Sequence, residues 1–93
     1  MIRSCVDRET ERIFKREGSR KFPPDIQRPA LRKLWMLNAA TNIFDLRIPP
    51  ANRLEKLRGS RSGQYSIRIN QQWRICFRWM SHEAYDVEIT DYH

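Results

Sequence analysis

The residue types that could perform acid–base chemistry on an anion are concentrated in the second half of this 93-residue chain. His93 is the final residue, and an imidazole titrates near neutral pH (about 6.5), which suits proton transfer. Arg68 and Arg74 lie in two segments with strand-like patterns, and a guanidinium presents a planar fork that fits phosphate. These residue types predict proton transfer beside a bound anion.

A β-hairpin is predicted to carry the two arginines. In residues 64–70 and 73–80, polar residues alternate with the apolar residues Tyr65, Ile67, Ile69, Trp73, Ile75, Phe77 and Trp79. Alternation with a period of two is typical of half-buried strands. Any in-phase pairing brings Arg68 directly or diagonally near Arg74, and like charges across a sheet are unfavourable. A visiting anion would explain the cluster; the alternative is two arginines that extend separately into water.

A third strand is predicted to return the end of the chain to this cluster. A three-residue loop at 81–83 lets apolar residues face apolar residues. The resulting opposite pairs are Ile75 with Ile89, Arg74 with Thr90, Trp79 with Tyr85, and Arg78 with Asp86. The same register brings Tyr92 diagonally near Arg74. The alternative for His93 is a frayed terminus without a role.

Two helices are predicted to cover the apolar face of the sheet. The first spans 7–17, with Asp7 as its N-cap and Gly18 at its end. The second spans 25–40, and its apolar stripe is Ile26, Ala30, Leu34 and Leu37, widened by Leu31 and Trp35. Pro29 is expected within the first turn of this helix, because proline is tolerated there.

The remaining segments have weaker patterns. Residues 1–6 alternate mildly and predict an edge strand. Residues 41–46 resemble one helical turn, 47–52 form a loop, and 59–63 form a flexible basic loop. Residues 53–58 remain equivocal between a short strand and a turn.

The net charge of +7 is high for one domain of residues 1–93. Residues 52–80 contain seven Lys and Arg against the single acid Glu55, whereas residues 81–93 contain four acids and no Lys or Arg. This balance indicates an acidic partner, which could be nucleic acid, an anionic membrane surface or an acidic protein. The alternative is that the charge serves solubility alone.

Other classes of protein are disfavoured by the sequence. No apolar run approaches 18 residues and the N-terminus has no leader pattern, so a cytoplasmic location is expected. Cys5 and Cys76 are expected to be buried free thiols. We find no His/Cys/Asp spacing that would hold a metal, and no cofactor is expected.

Three motifs in order resemble the HigB branch of the RelE/ParE toxin superfamily. They are residues 57–63 (LRGSRSG), residues 70–75 (NQQWRI) in the hairpin, and residues 91–93 (DYH) at the end. The resemblance covers nearly the whole chain. It implies an α+β fold of the RelE-like microbial ribonuclease type, with two helices packed on an antiparallel-rich sheet.

The resemblance also implies an activity and partners. Such toxins are ribosome-dependent mRNA endonucleases that need no metal and cleave mRNA in the aminoacyl site. The implied partners are the ribosome, mRNA and a helix-turn-helix antitoxin of HigA type, which neutralises the toxin and represses the shared operon.

Site residues follow from the resemblance by position. His93 would be the general acid or base, Tyr92 and Asp91 would orient it or line the substrate, and Arg74 would hold the scissile phosphate. Glu55 stands where some relatives carry a histidine, so it could be the base that deprotonates the ribose 2′-hydroxyl or a bystander. The expected RNA contacts are Arg53, Lys56, Arg58, Arg61 and Arg68.

Two other functions stay open at this point. The ParE branch shares the fold but inhibits DNA gyrase, and the terminal histidine and arginine-rich hairpin argue against that activity. The second is a non-catalytic basic module that binds RNA or protein, which would need neither Glu55, Tyr92 nor His93.

Overall fold

The computed structural model describes residues 1–91, in which two helices cover one face of a four-stranded antiparallel sheet. The helices are α1 (Arg8–Phe14) and α2 (Pro24–Ala39), and the strands are β1 (Glu55–Lys56), β2 (Gln64–Arg68), β3 (Trp73–Met80) and β4 (Glu83–Asp91). Short 3₁₀ helices occupy Ile43–Arg47, Pro50–Asn52 and Gly59–Arg61. The strands lie in the order β1-β2-β3-β4, which confirms the predicted α+β class. None of the described helices is long and apolar enough to cross a membrane.

The core lies between the helices and one face of the sheet. The strands supply Ile67, Ile75, Phe77, Val87 and Ile89, and α2 supplies Ile26, Ala30, Leu34 and Leu37, all buried. Because side chains alternate across a strand, the opposite face carries Ser66, Arg68, Arg74, Cys76, Glu88 and Thr90. We call this second surface the polar face.

Helix α1 begins as predicted but ends early. The Asp7 side chain caps it by accepting a hydrogen bond from the Thr10 amide at 2.6 Å. The helix ends at Phe14 rather than 17, because Arg16 adopts a left-handed backbone (φ +62°) that cannot continue a right-handed helix.

Helix α2 contains Pro29 in its interior, so the expectation of a first-turn position was wrong. An interior proline removes one backbone hydrogen bond and strains the preceding turn. The buried stripe that begins at Ile26 and ends at Leu37 holds the helix against the sheet. Tertiary packing therefore outweighs the local preference of proline.

The hairpin between β3 and β4 is tighter than predicted. Its turn consists of Ser81 and His82 alone, both with positive φ, which is typical of two-residue hairpin turns. A bulge at Asp86 (φ +52°) then shifts the register by one residue.

The bulge divides the predicted register into a correct half and an incorrect half. Arg74 faces Thr90 and Ile75 faces Ile89, as expected. Nearer the turn, Arg78 faces Tyr85 and Trp79 faces Ala84, so the pairs proposed there were wrong. The Arg78 Nε still lies 3.4 Å from the Asp86 carboxylate, so the predicted ion pair between these residues is present.

The N-terminal segment lies along the outer edge of β4 but is not a continuous strand. It makes two isolated parallel bridges, Ile2 with Ala84 and Cys5 with Val87. The left-handed Asp86 lies between these two contacts and interrupts the regular edge. Farther along the same edge, the fully buried Thr10 Oγ1 accepts a hydrogen bond from the Ile89 amide at 3.1 Å. Thr10 thereby fixes α1 to β4 beside Thr90.

We expect Thr10→Val to lower the free energy of unfolding by about 1–3 kcal/mol, because the Ile89 amide would remain buried without its acceptor. Urea unfolding measures the difference. Thr41→Val is the matched control, since Thr41 is exposed, and it should change stability by less than about 0.5 kcal/mol. Equal losses for the two variants would contradict a role for Thr10 in anchoring β4.

Candidate active site

Arg68 and Arg74 lie directly opposite each other on β2 and β3, and Arg74 faces Thr90 on β4. All three side chains are half-buried on the polar face. The prediction that the two arginines come together is confirmed. We call Arg68, Arg74 and Thr90 the arginine row.

A second row crosses the same face next to the arginine row. Glu55, Ser66, Cys76 and Glu88 are in register across the four strands. Ser66 and Cys76 are fully buried although neither α1 nor α2 packs on this face, whereas Glu55 is exposed. We call these four residues the central row, and another part of the chain must cover its middle.

Arg61 supplies that cover. Its Nη1 donates hydrogen bonds to Gln64 Oε1 at 3.1 Å and to Glu88 Oε1 at 3.0 Å. Gln64 begins β2 and Glu88 lies on β4, so side chains from the two strands that flank β3 both accept from one nitrogen of Arg61. We call this contact the Arg61–Glu88 bridge.

The thiol of Cys76 lies near two arginines, Arg61 and Arg74. Burial raises the pKa of the Cys76 thiol, while the nearby Arg74 and Arg61 guanidiniums act to lower this pKa. Both guanidiniums therefore lie close to one buried sulfur. Cys76 and Cys5 are free thiols, as predicted, although Cys5 is only half-buried.

The other expected RNA contacts lie on the exposed margin beside β1. Arg53 and Arg58 are exposed and flank the strand. Lys56 is also exposed, but it faces Tyr65, on the opposite side of β1 from Glu55. The structure thus places Glu55, Arg61, Arg68 and Arg74 on the polar face, whereas Lys56 lies on the other side of the sheet.

Strand β4 ends at Asp91, directly after Thr90 of the arginine row. Asp91 pairs with Trp73, and its Oδ2 accepts a hydrogen bond from Gln72 Nε2 at 3.0 Å. Alternation places Asp91 on the opposite side of β4 from Thr90. Tyr92 and His93 lie outside the described residues, so their predicted roles remain predictions.

Glu88 lies in the candidate site through its bridge to Arg61, and the sequence reasoning did not single it out. The correct pairing of Ile75 with Ile89 already implied that Cys76 faces Glu88 on the polar face. The missing information was the position of Arg61, which depends on the loop before β2. Among residues 1–91, no group of three or more His, Cys, Asp or Glu could hold a metal.

A separate cleft lies in the helix layer, away from the polar face. It has a volume of about 670 Å³ and is lined in part by Arg16, Arg28, Arg32, Leu31 and Trp35. Trp35 is 40% exposed there, with the Arg16 guanidinium 4.3 Å from its ring centroid. The apolar stripe expected on α2 is therefore narrower than predicted.

The family model of the RelE-like toxin of the type II toxin–antitoxin system HigB matches residues 3–93. The chain belongs to the HigB-like toxin family. This finding confirms the resemblance drawn from the three motifs.

This HigB-like toxin is similar in sequence to two named relatives and in fold to a chain of a solved complex. It is 48% identical to Toxin HigB-1 of Vibrio cholerae over 66% of its own chain, and the match spans 64% of that relative, which is less than two thirds. It is 28% identical to Endoribonuclease HigB of Proteus vulgaris over the full length of both chains. The YoeB–YefM toxin–antitoxin complex of Staphylococcus aureus contains a chain with a TM-score of 0.61 and 15% identity, covering 100% of this chain and 98% of that one. The fold is therefore RelE-like.

The cover over Cys76 can be tested through thiol reactivity. In a Cys5→Ser background, we expect Cys76 to react slowly with iodoacetamide at pH 8, because the thiol is buried and its pKa is raised. Arg61→Ala should accelerate the reaction severalfold by uncovering the sulfur. Removing Arg61 also removes a charge that lowers the thiol pKa, so that effect alone would slow the reaction.

Arg53→Ala is the control, since it removes one positive charge at an exposed position. It should leave the rate unchanged. Dividing each rate by the thiolate fraction, taken from that variant's own pH–rate profile, removes the effect of the charge. If the corrected rates of Arg61→Ala and Arg53→Ala both equal that of the parent, Arg61 does not cover Cys76.

Proposed function

We propose that the chain is an endoribonuclease toxin that inhibits translation by cleaving mRNA in the aminoacyl site of the ribosome. The observation that supports this most strongly is the arginine row, which has Glu55 on one side and the end of β4 on the other. Family membership supports the toxin class, and the name of the Proteus vulgaris relative supports RNA cleavage.

The strand order arranges these groups as a phosphodiester cleavage requires. Glu55 faces Ser66, two residues along β2 from Arg68, and such diagonal neighbours are about 7–8 Å apart. On the other side Thr90 faces Arg74, so the end of β4 lies next to the arginine row. A base and an acid could therefore act from opposite sides of a phosphate held between them.

The proposed reaction is an internal transphosphorylation. The ribose 2′-hydroxyl attacks the adjacent phosphorus, and Glu55 or His93 accepts its proton. The bond to the 5′-oxygen breaks, and His93 or Tyr92 donates a proton to that leaving oxygen. Arg74, with Arg68 or Arg58, stabilises the charge that develops on the phosphate oxygens, so the step needs no metal. The products are a 2′,3′-cyclic phosphate and a 5′-hydroxyl.

The partners follow from the toxin class. We propose a HigA-type antitoxin that neutralises the toxin and represses the shared operon, acting in the cytoplasm. The YoeB neighbour was solved as a complex with its antitoxin YefM, which supports a stable protein partner for this class. A small helix-turn-helix gene beside this one would supply the protein for a co-purification test.

We expect Arg74→Ala to lower cleavage of ribosome-bound mRNA by about 10²–10³-fold, because it removes a donor aimed at the developing charge. Arg74→Lys should retain part of the activity, since lysine keeps the charge but loses the planar fork. Primer extension on stalled translation complexes measures the rate. Arg20→Ala, an exposed substitution between the helices, is the control; equal activity of Arg74→Ala and this control would refute the proposed site.

We expect His93→Gln to lower cleavage by about 10²–10⁴-fold while binding to ribosomes persists, because glutamine cannot transfer the proton. Co-sedimentation with ribosomes measures binding separately from cleavage. Mass spectrometry of the 5′ fragment should detect the cyclic phosphate with the parent chain. Unchanged cleavage by the variant would remove His93 from the reaction.

A further inference from the structure

The Arg61–Glu88 bridge holds a guanidinium in place beside the arginine row. Arg61 comes from the loop before β2, and its side chain is 31% exposed, against 26% for Glu88. A partly exposed ion pair of this kind adds little stability by itself. The bridge lies beside the buried Cys76, whose thiol is also near Arg74, which points to a role in orienting Arg61 toward the arginine row.

The geometry of the bridge leaves part of Arg61 available to a ligand. Both described hydrogen bonds use Nη1, which carries two hydrogens. Within residues 1–91, the hydrogen bonds of this side chain therefore leave Nη2 and Nε with three N–H donors. These donors form the edge of the guanidinium that can bind a phosphate in a bidentate way.

The distance between the two rows fits consecutive phosphates of one RNA strand. Cys76 in the central row is two residues from Arg74 on β3, so the rows lie about 6.6 Å apart along the strand. Neighbouring phosphates in a single strand have a comparable separation. One phosphate on Arg74 would thus place the next one near the guanidinium that Glu88 holds.

We propose that Glu88 is a positioning residue, which holds Arg61 as the ligand of the phosphate adjacent to the scissile one. The inference rests on the proposed endoribonuclease function and adds a second phosphate subsite to it. Because Arg61 is oriented before RNA arrives, binding does not have to order a long, flexible side chain. The scissile phosphate is then fixed by its neighbour as well as by Arg74.

The test compares Glu88 with a matched acid on the same strand. We expect Glu88→Ala to reduce cleavage of ribosome-bound mRNA about tenfold, mainly in kcat, through loss of alignment. Glu88→Gln should recover part of the rate, since its amide oxygen can still accept from Arg61. Asp86→Asn makes the same charge change two residues away, at an exposed pair with Arg78, and should leave the rate unchanged.

A chemically altered substrate separates a subsite from general destabilisation. Ribosome-bound mRNA is prepared with one neutral methylphosphonate, either on the 5′ or on the 3′ side of the scissile phosphate. With one of these substrates the parent chain should cleave more slowly, and Glu88→Ala should cause no further loss. In an Arg61→Ala background, Glu88→Ala should likewise cause no further loss, because Glu88 acts through Arg61.

Each outcome supports or overturns the proposal. Suppose that the parent cleaves mRNA. If Glu88→Ala then cleaves as fast as Asp86→Asn, or if Glu88→Ala loses as much activity on both methylphosphonate substrates as on normal mRNA, the positioning role is wrong and the endoribonuclease function stands. If the parent chain does not cleave ribosome-bound mRNA, the proposed function fails and the positioning role fails with it.

Discussion

The antiparallel register between β3 and β4 is the constraint on which the candidate site depends. A slip of one residue would move Arg74 to the helix-covered face and bring apolar side chains into water. The apolar pair Ile75 and Ile89, both buried under the helices, excludes that slip. The same pairing that builds the core therefore places Arg74 opposite Thr90 and Glu88 opposite Cys76.

The bulge at Asp86 lets this register coexist with a tight turn. Without the bulge, the two-residue turn at Ser81 and His82 would shift the pairing of β4 with β3 by one residue along the whole strand. One extra residue in β4 restores the phase before Glu88. At the outer edge, the backbone bridges of the N-terminal segment and the hydroxyl of Thr10 hold the strand in this position.

Several features of the fold and site could be predicted because they depend on neighbouring residues and on periodicity. The Asp7 cap, the hairpin strands and the opposition of Arg68 and Arg74 all follow from local patterns. The turn and bulge could not be predicted, because a one-residue shift of the register there changes the pairing of only the few positions next to the turn. The position of Pro29 within α2 was predicted wrongly, because the conformational preference of proline says nothing about the tertiary packing that holds this helix together.

The rest of the site depends on contacts between distant segments. Arg61 and Glu88 are 27 residues apart, and no spacing rule connects them. Trp35 lay on the predicted stripe, yet it lines a cleft in which the Arg16 guanidinium lies over its ring. Charge patterning located the basic block in residues 52–80, but the positions of Arg61 and Lys56 relative to the polar face required the three-dimensional arrangement.

The most direct measurement of the central claim is side-chain NMR of the arginines during titration with a short RNA at low ionic strength. The RNA carries 2′-O-methyl groups, so it cannot react. Nε–H signals of Arg68 and Arg74 should shift together with that of Arg61 and saturate at one RNA per chain. Shifts confined to Arg16, Arg28 and Arg32 in the helix-layer cleft would contradict the account, because the RNA would then bind away from the polar face.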